Sequence, residues 1–279
     1  MSGDFLQQMA ASSRQRADAA KRECSDADLL ARALASPAPP RLRRNPAGFD
    51  LIAELKLRSP AVGQLKSADE DVSARVSAYA RAGAAAVSVL TEPSRFDGSL
   101  AHLVDATRVL TPLRVPAMRK DFLVDPYQVS EARLSGAGGV LIILRMLPRE
   151  GLDALIERAA QLGLFVLLEA FDASDIELMH DIVEQHQSKG VEQLAGLNCR
   201  DLTTLQIVPQ RLTELAHLLP KKVPRVAESG VLTADDAGRV AAAGYELALV
   251  GSALMQGGDP GALAAAMLNA GRAARSKVA

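Results

Sequence analysis

The chain has no tryptophan, and six phenylalanines and three tyrosines are its whole aromatic complement. Its core is therefore aliphatic. It has only two cysteines, Cys24 and Cys199, far apart in sequence, which excludes a disulfide framework and a cysteine-based metal site and suits a reducing cytoplasm. No apolar run approaches the ~20 residues of a membrane-spanning helix. An excess of charge of one sign is also missing, because 32 Lys and Arg face 33 Asp and Glu for a net charge of -1. That balance gives no basic surplus to attract nucleic acid. With 48% apolar and 23% charged side chains in 279 residues, the chain is too apolar and too balanced to be disordered. The four histidines, His102, His180, His186 and His217, all fall in predicted helices and read as solvated residues. His180 and His186 are six apart, which keeps them off one helix face and argues against a metal pair.

The first residues carry Arg14, Arg16, Lys21 and Arg22, but Asp4, Asp18 and Glu23 interrupt them, so neither a transit peptide nor a secretory signal is expected. They read instead as amphipathic helices over Phe5–Lys21 and Asp26–Leu34, the second capped by Ser25 or Asp26. The segment Ser36-Pro37-Ala38-Pro39-Pro40 ends helical structure. Arg41, Arg43 and Arg44 follow and read as a solvated linker. The expected division is a helical extension and linker over 1–48 and one larger domain over 49–279.

From Leu51 onward, eight short apolar runs alternate with amphipathic stretches: Leu51–Leu55, Ala86–Leu90, Val115–Met118, Gly139–Leu144, Leu164–Leu168, Leu194–Asn198, Arg225–Glu228 and Leu247–Val250. Their starts lie 22 to 35 residues apart, enough for a crossover helix and two loops. Helix candidates between them, Asp69–Ala82, Asp125–Ser135, Glu150–Leu162 and Thr233–Ala243, are each followed by glycine, the expected terminator. Continuous apolar strands imply a parallel sheet, and eight of them imply closure, giving an α/β chain with a single (βα)8 TIM barrel and an N-terminal helical extension. An open doubly wound sheet is the alternative, disfavoured because no Gly-x-Gly-x-x-Gly follows a strand.

In such a barrel the active site lies where the strands end. There the chain places Glu54 and Lys56 with Arg58 and Ser59, then Thr91-Glu92, Arg119-Lys120-Asp121, Arg145, Glu169, Asn198-Cys199-Arg200, Glu228-Ser229-Gly230 and Gly251-Ser252. Any one of these charges alone would read as a solvated loop residue. Carboxylates and lysines gathered at one mouth perturb each other's pKa and can exchange protons. Ser229-Gly230 and Gly251-Ser252 follow strands seven and eight, where barrels commonly hold phosphate. The loop Lys56–Ala68, with Arg58, Pro60, Gly63 and Lys66, reads as a lid over an anionic substrate or as an ordinary exposed loop.

Taken in order, these blocks resemble indole-3-glycerol phosphate synthase, a (βα)8 barrel with an N-terminal helical extension. The resemblance runs from about Leu51 to Met255 and rests on Ile52-Ala53-Glu54-Leu55-Lys56, Ser88-Val89-Leu90-Thr91-Glu92 and Lys120-Asp121-Phe122-Leu123-Val124-Asp125. Leu168-Glu169, Asn198, Arg200-Asp201-Leu202 and Glu228-Ser229-Gly230 continue it. The resemblance implies ring closure of 1-(2-carboxyphenylamino)-1-deoxyribulose 5-phosphate with loss of carbon dioxide and water. It implies Lys120 as general acid on the ribulose carbonyl, aided by a pKa lowered toward ~7–8 through burial or Lys56. It implies Lys56 against the substrate carboxylate, Glu169 as general base, and Glu54 and Glu228 holding lysines and substrate hydroxyls. Asn198 and Arg200 would orient the anthranilate, Phe122 would line its pocket, and Ser59, Ser229, Gly230, Gly251 and Ser252 would complete substrate and phosphate binding. Leu57, Ala61 and Val62 depart from the family's basic residue and Ser-Pro-Ser, and Cys199 stands where Asn or Ser is usual.

No metal or organic cofactor is implied, and the expected partner is the small phosphosugar-anthranilate, with the chain a monomer or weak homo-oligomer. Three other readings stay open: a diverged paralogue acting on a related phosphosugar, a phosphoribosyl anthranilate isomerase type that works through an Asp and Cys pair, and a non-catalytic phosphosugar-binding barrel.

Overall fold

A computed structural model describes residues 2–60, 63–65, 70–201, 206–256 and 258–276, without the side chains of residues 2–4. Eight parallel strands close into a barrel: β1 (Asp50–Leu55), β2 (Ala86–Leu90), β3 (Ala117–Lys120), β4 (Gly139–Ile143), β5 (Phe165–Ala170), β6 (Gln193–Asn198), β7 (Arg225–Glu228) and β8 (Leu247–Val250). Each pairs with its sequence neighbour, and β1 also pairs with β8 to close the ring. The helices include α1 (Ser2–Glu23), α2 (Asp26–Ala35), α3 (Val72–Arg81), α4 (Leu100–Leu110), α5 (Pro126–Leu134), α6 (Arg149–Gln161), α7 (Ala173–His186), α8 (Gln210–Glu214), α9 (Ala234–Ala242) and α10 (Pro260–Arg275), with further short helical turns at Pro93–Phe96 and Ser252–Gln256. Among the described residues no helix is long and apolar enough to cross a membrane.

Alternation along each strand divides the apolar residues into two clusters, because successive side chains leave opposite faces. One cluster fills the barrel interior and includes Ile52, Ala86, Met118, Leu141, Leu167, Leu194, Val226 and Leu247. The other lies between strands and helices and includes Leu51, Ala53, Val87, Val140, Val166, Ala195, Ala227 and Ala248. Following the interior positions upward leads to Glu54, Lys120, Glu169, Asn198 and Glu228, so the same alternation that packs the core aims these groups into the mouth.

The helix ends follow local chemistry. The hydroxyl of Thr233 accepts from Asp236 N while the Asp236 carboxylate accepts from Thr233 N, a reciprocal cap that starts α9. Asp71 caps α3, which therefore begins later than the expected Asp69, a residue outside the described ones.

Strand three differs from its expected span. The apolar run began at Val115, but β3 covers Ala117–Lys120, since Pro116 has no N–H to give a central ladder. Arg119 and Lys120 are thus strand residues, paired with Val89 and Leu90. Arg119 points outward into the helix layer and is 1% exposed. Its guanidinium donates to Asp121 (3.0 Å), Glu131 (3.0 Å), Thr91 Oγ1 (3.1 Å) and Gln128 O (2.8 Å). Asp121 also receives two bonds from Arg16 of α1, at 2.8 and 3.0 Å, and one from the Thr91 hydroxyl at 2.7 Å. This network fastens the extension to the barrel. Around it, Arg14 donates to Val124 O, Lys21 pairs with Asp125 at 2.6 Å, and Gln128 donates to Ser13. Arg158 of α6 holds Asp26 of α2 with two bonds.

The histidines also differ in part from expectation. His186 is fully buried, its Nε2 2.7 Å from Asp153, because the face of α7 that carries it turns toward α6. His180 is exposed and bonds Leu218 O.

Burial alone would raise the Asp121 carboxyl, but Arg119, Arg16 and Thr91 hold it well below the ordinary range. A depressed carboxylate contributes stability above its unfolded pKa of about 3.9 and loses it as pH falls below that. Asp121→Ala leaves Arg119 buried with half its charge partners gone, and is expected to cost about 3 kcal/mol or more in urea unfolding at pH 7. Arg16→Met, which removes the more exposed partner, is expected to cost less. Equal and small losses for both would show that the network does not carry this stability.

Candidate active site

The strand ends open on a cavity of about 300 Å³. Every side chain and glycine singled out at the strand ends as a site residue lines it: Glu54, Lys56, Ser59, Lys120, Phe122, Glu169, Asn198, Arg200, Glu228, Ser229, Gly230, Gly251 and Ser252. Asp121 lines it too, while the other polar strand-end residues go elsewhere. Thr91 and Arg119 serve the Asp121 network, and Glu92 is buried, accepting from Ser94 N and Arg95 N. Arg145 pairs with Asp172 and Asp175 and lies over the Phe171 ring at 4.9 Å.

Glu54 and Lys56 share an inward direction, two residues apart, and their charged atoms meet at 2.5 Å. Glycine at 251 makes room for them, because a Cβ there would sit 2.2 Å from Glu54 Oε1 and 3.1 Å from Lys56 Nζ. Across the mouth, Lys120 Nζ stands 3.6 Å from Glu169 Oε1 and 3.8 Å from Glu228 Oε2. Asn198 fixes Glu169, donating to Oε1 at 2.6 Å, and its own Oδ1 accepts from Arg200 N at 2.9 Å. Glu228 occupies the space that a side chain at Gly196 would take, since a Cβ there would meet Oε1 at 2.2 Å. Neither Glu228 oxygen has a hydrogen-bond partner among the described residues.

The charges settle accordingly. Burial pushes Glu54 up, but Lys56, Lys120 and Arg200 outweigh it and its pKa is lowered. For Lys120 the sequence reading expected a lowered value. Burial does act that way, yet Glu169, Glu228 and Glu54 together overcome it and the lysine pKa is raised. Three carboxylates against one ammonium outweigh the more distant Lys56. Glu228 pays the cost of this crowding: burial and the neighbouring Glu169 drive its carboxyl well above the usual range, and Lys120 only partly compensates.

One wall is apolar. Phe122 meets Phe5 of the extension edge-on, with centroids 6.0 Å apart and planes at 80°, and Phe96 at 6.1 Å. Phe5 and Leu6 therefore line the cavity from α1, together with Leu141, Ile143, Phe171 and Leu249 from the barrel. Sequence reasoning missed these. The strand residues were available from alternation, since Leu141, Ile143 and Phe171 share the direction of Glu169, whereas nothing local distinguishes Phe5 from other apolar positions of α1.

On the opposite wall, Ser229 and Gly230 have φ of 66° and 70°. Two consecutive left-handed residues, one not glycine, mark a turn held against its preference. Above it, Arg58–Ser59 and Gly63–Gln64 form a short hairpin in the first loop, with Arg58 3.7 Å from Asp97. Ala61, Val62, Lys66 and Ala68 of the expected lid lie outside the described residues. Cys199 faces the helix layer fully buried, and burial pushes its thiol to about 11 against the pull of Arg200 and Arg211. No thiolate is available at neutral pH for isomerase chemistry of the Asp and Cys kind.

Two solved structures share the fold alone, at 16% identity. Thiamine phosphate pyrophosphorylase from Pyrococcus furiosus has a TM-score of 0.57 over 82% of this chain and 99% of its own. N-acetylneuraminic acid synthetase from Leptospira borgpetersenii has 0.58 over 82% and 85%. Among curated proteins, the indole-3-glycerol phosphate synthase of Parafrankia sp. (strain EAN1pec) is 42% identical over 82% of this chain and 81% of its own length. That of Rhodococcus opacus (strain B4) is 38% identical over 92% of each. A family model described as indole-3-glycerol phosphate synthase matches residues 6–267. With a family model matched over nearly the whole chain and relatives at 38–42% identity, the chain belongs to the indole-3-glycerol phosphate synthase family.

Proposed function

We propose that the chain closes the indole ring, converting 1-(2-carboxyphenylamino)-1-deoxyribulose 5-phosphate to indole-3-glycerol phosphate with release of carbon dioxide and water. The observation that carries this reading is Lys120 set between Glu169 and Glu228 beside an aromatic wall. The substrate has an aromatic ring, a carboxylate and a phosphate. The mouth offers Phe122, Phe96 and Phe5 for the ring, Lys56 for the carboxylate, and the Ser229-Gly230 and Gly251-Ser252 turns for the phosphate.

In the first step the ring carbon bearing the carboxylate attacks the ribulose carbonyl carbon. Lys120, kept charged by its carboxylates, gives its proton to the developing alkoxide, which becomes a hydroxyl. The new bond to the ring takes the aromatic electron pair, and loss of carbon dioxide returns it. In the second step the hydroxyl leaves as water with a proton from the Lys56 ammonium, and Glu169 takes a proton from the adjacent carbon. Asn198 holds Glu169 in place for this transfer. Glu228, its carboxyl pushed up by burial and by Glu169, stands where it can hydrogen-bond a substrate hydroxyl. Two reduced cysteines and a free metabolite as substrate accord with a cytoplasmic enzyme, and no partner protein is required for the chemistry.

Incubation with the carboxyphenylamino deoxyribulose phosphate is expected to yield indole fluorescence, and a folded sample that produces none at saturating substrate refutes the proposal. Lys120→Ala is expected to lower kcat by ~10²-fold or more in a sample whose circular dichroism shows the fold retained. A variant with near-normal kcat would remove Lys120 from the acid role. Glu228 supplies the pH test. A raised carboxyl contributes stability below its unfolded pKa of about 4.3 and loses it as pH rises toward the folded value. Glu228→Gln is therefore expected to gain stability relative to the parent as pH rises above about 4.3 in urea unfolding. A difference independent of pH would mean that the Glu228 carboxyl is not raised by its surroundings.

A further inference from the structure

At the N-terminal face of the barrel, opposite the mouth, the linker runs extended beneath the strands. Leu42 is buried with the interior cluster, and Pro40 packs its carbonyl against Gly138 just before β4. In an extended segment neighbours point opposite ways, so burying Leu42 sends Arg41 and Arg43 outward together. They line a surface recess of about 280 Å³ with Arg114 and Thr111 from the turn after α4 and with Ala38, Pro39 and Pro40. Arg114 has a φ of 58°, in the left-handed region that helix-ending turns usually give to glycine or asparagine.

None of these three guanidiniums forms an ion pair among the described residues, whereas Arg16, Arg119, Arg145, Arg158 and Arg272 all bind carboxylates directly. Glu192 acts on Arg41 only at longer range. Three like charges around one recess repel each other until an anion is shared among them. Guanidinium forks match phosphate oxygens in geometry. The recess has no aromatic side chain to stack a nucleobase, and two prolines stiffen its wall, so the fit is to a small phosphate group. We infer that Arg41, Arg43 and Arg114 form a second anion site, separate from the catalytic mouth, that binds inorganic phosphates or the phosphate end of a small metabolite.

The test is a titration of the full chain with pyrophosphate, and separately with ribose 5-phosphate, followed on the arginine side-chain Nε–H resonances. The three signals, identified by their loss in Arg41→Ala, Arg43→Ala and Arg114→Ala, are expected to shift together with one dissociation constant. Saturation by both ligands assigns the site to phosphate monoesters as well as free phosphates, and saturation by pyrophosphate alone assigns it to free phosphates. The Arg43→Ala/Arg114→Ala double variant is expected to bind at least ~10-fold more weakly at that site, with its melting temperature unchanged. Signals that stay still, that move equally in sodium chloride of matched ionic strength, or that respond in Arg41 with parental affinity in the double variant would each overturn the inference.

Discussion

The Asp121 carboxylate is the group on which the arrangement of this molecule turns. It sits between two residues of opposite task, Lys120 aimed into the barrel and Phe122 in the pocket wall, and it is bound from three directions by Arg119, Arg16 and Thr91. Its Oδ1, shared with Arg16, also accepts from Phe122 N. A buried charge is tolerable only when it is fully paired. Satisfying Asp121 therefore sets where the end of β3 points, where α1 docks and where the aromatic wall stands.

The catalytic mouth obeys a related constraint on shape. Acidic groups are packed as closely as two glycines allow, with Gly196 yielding space to Glu228 and Gly251 to Glu54 and Lys56. Crowding then sorts the protons. Lysines around Glu54 lower its carboxyl pKa, while burial and Glu169 raise that of Glu228, which has no hydrogen-bond partner among the described residues. Chemically similar side chains thus take different roles from their surroundings, as tuned acid and base pairs do elsewhere.

Much of this was legible in the sequence, for identifiable reasons. Apolar runs buried on both faces announce a closed parallel sheet, and residues at strand ends in a barrel can face only the mouth or the helices. Direction was harder to read. Arg119 and Lys120 are adjacent and equally basic, and only strand alternation separates an arginine buried in the helix layer from a lysine facing the mouth. The apolar run misplaced β3 because it treated Pro116 as strand and two charges as loop. The sign of the Lys120 shift depends on Glu169 and Glu228, which are distant in sequence and come within 4 Å only after the barrel closes. Burial of His186 likewise depends on Asp153, from another helix. Nothing in the composition of α1 reveals that Phe5 faces Phe122.

That last contact joins two parts of the chain thermodynamically. The aromatic wall is complete only while α1 rests on the barrel, held by Arg16, Lys21 and Arg14. A ligand that touches Phe5 binds the docked arrangement better than an undocked one. By linkage it must then tighten docking by the same free energy that docking adds to its own affinity. The extension and the ligand are in this sense cooperative partners, and the peptide that precedes the barrel behaves as a tethered subunit whose local concentration is set by a proline-rich linker.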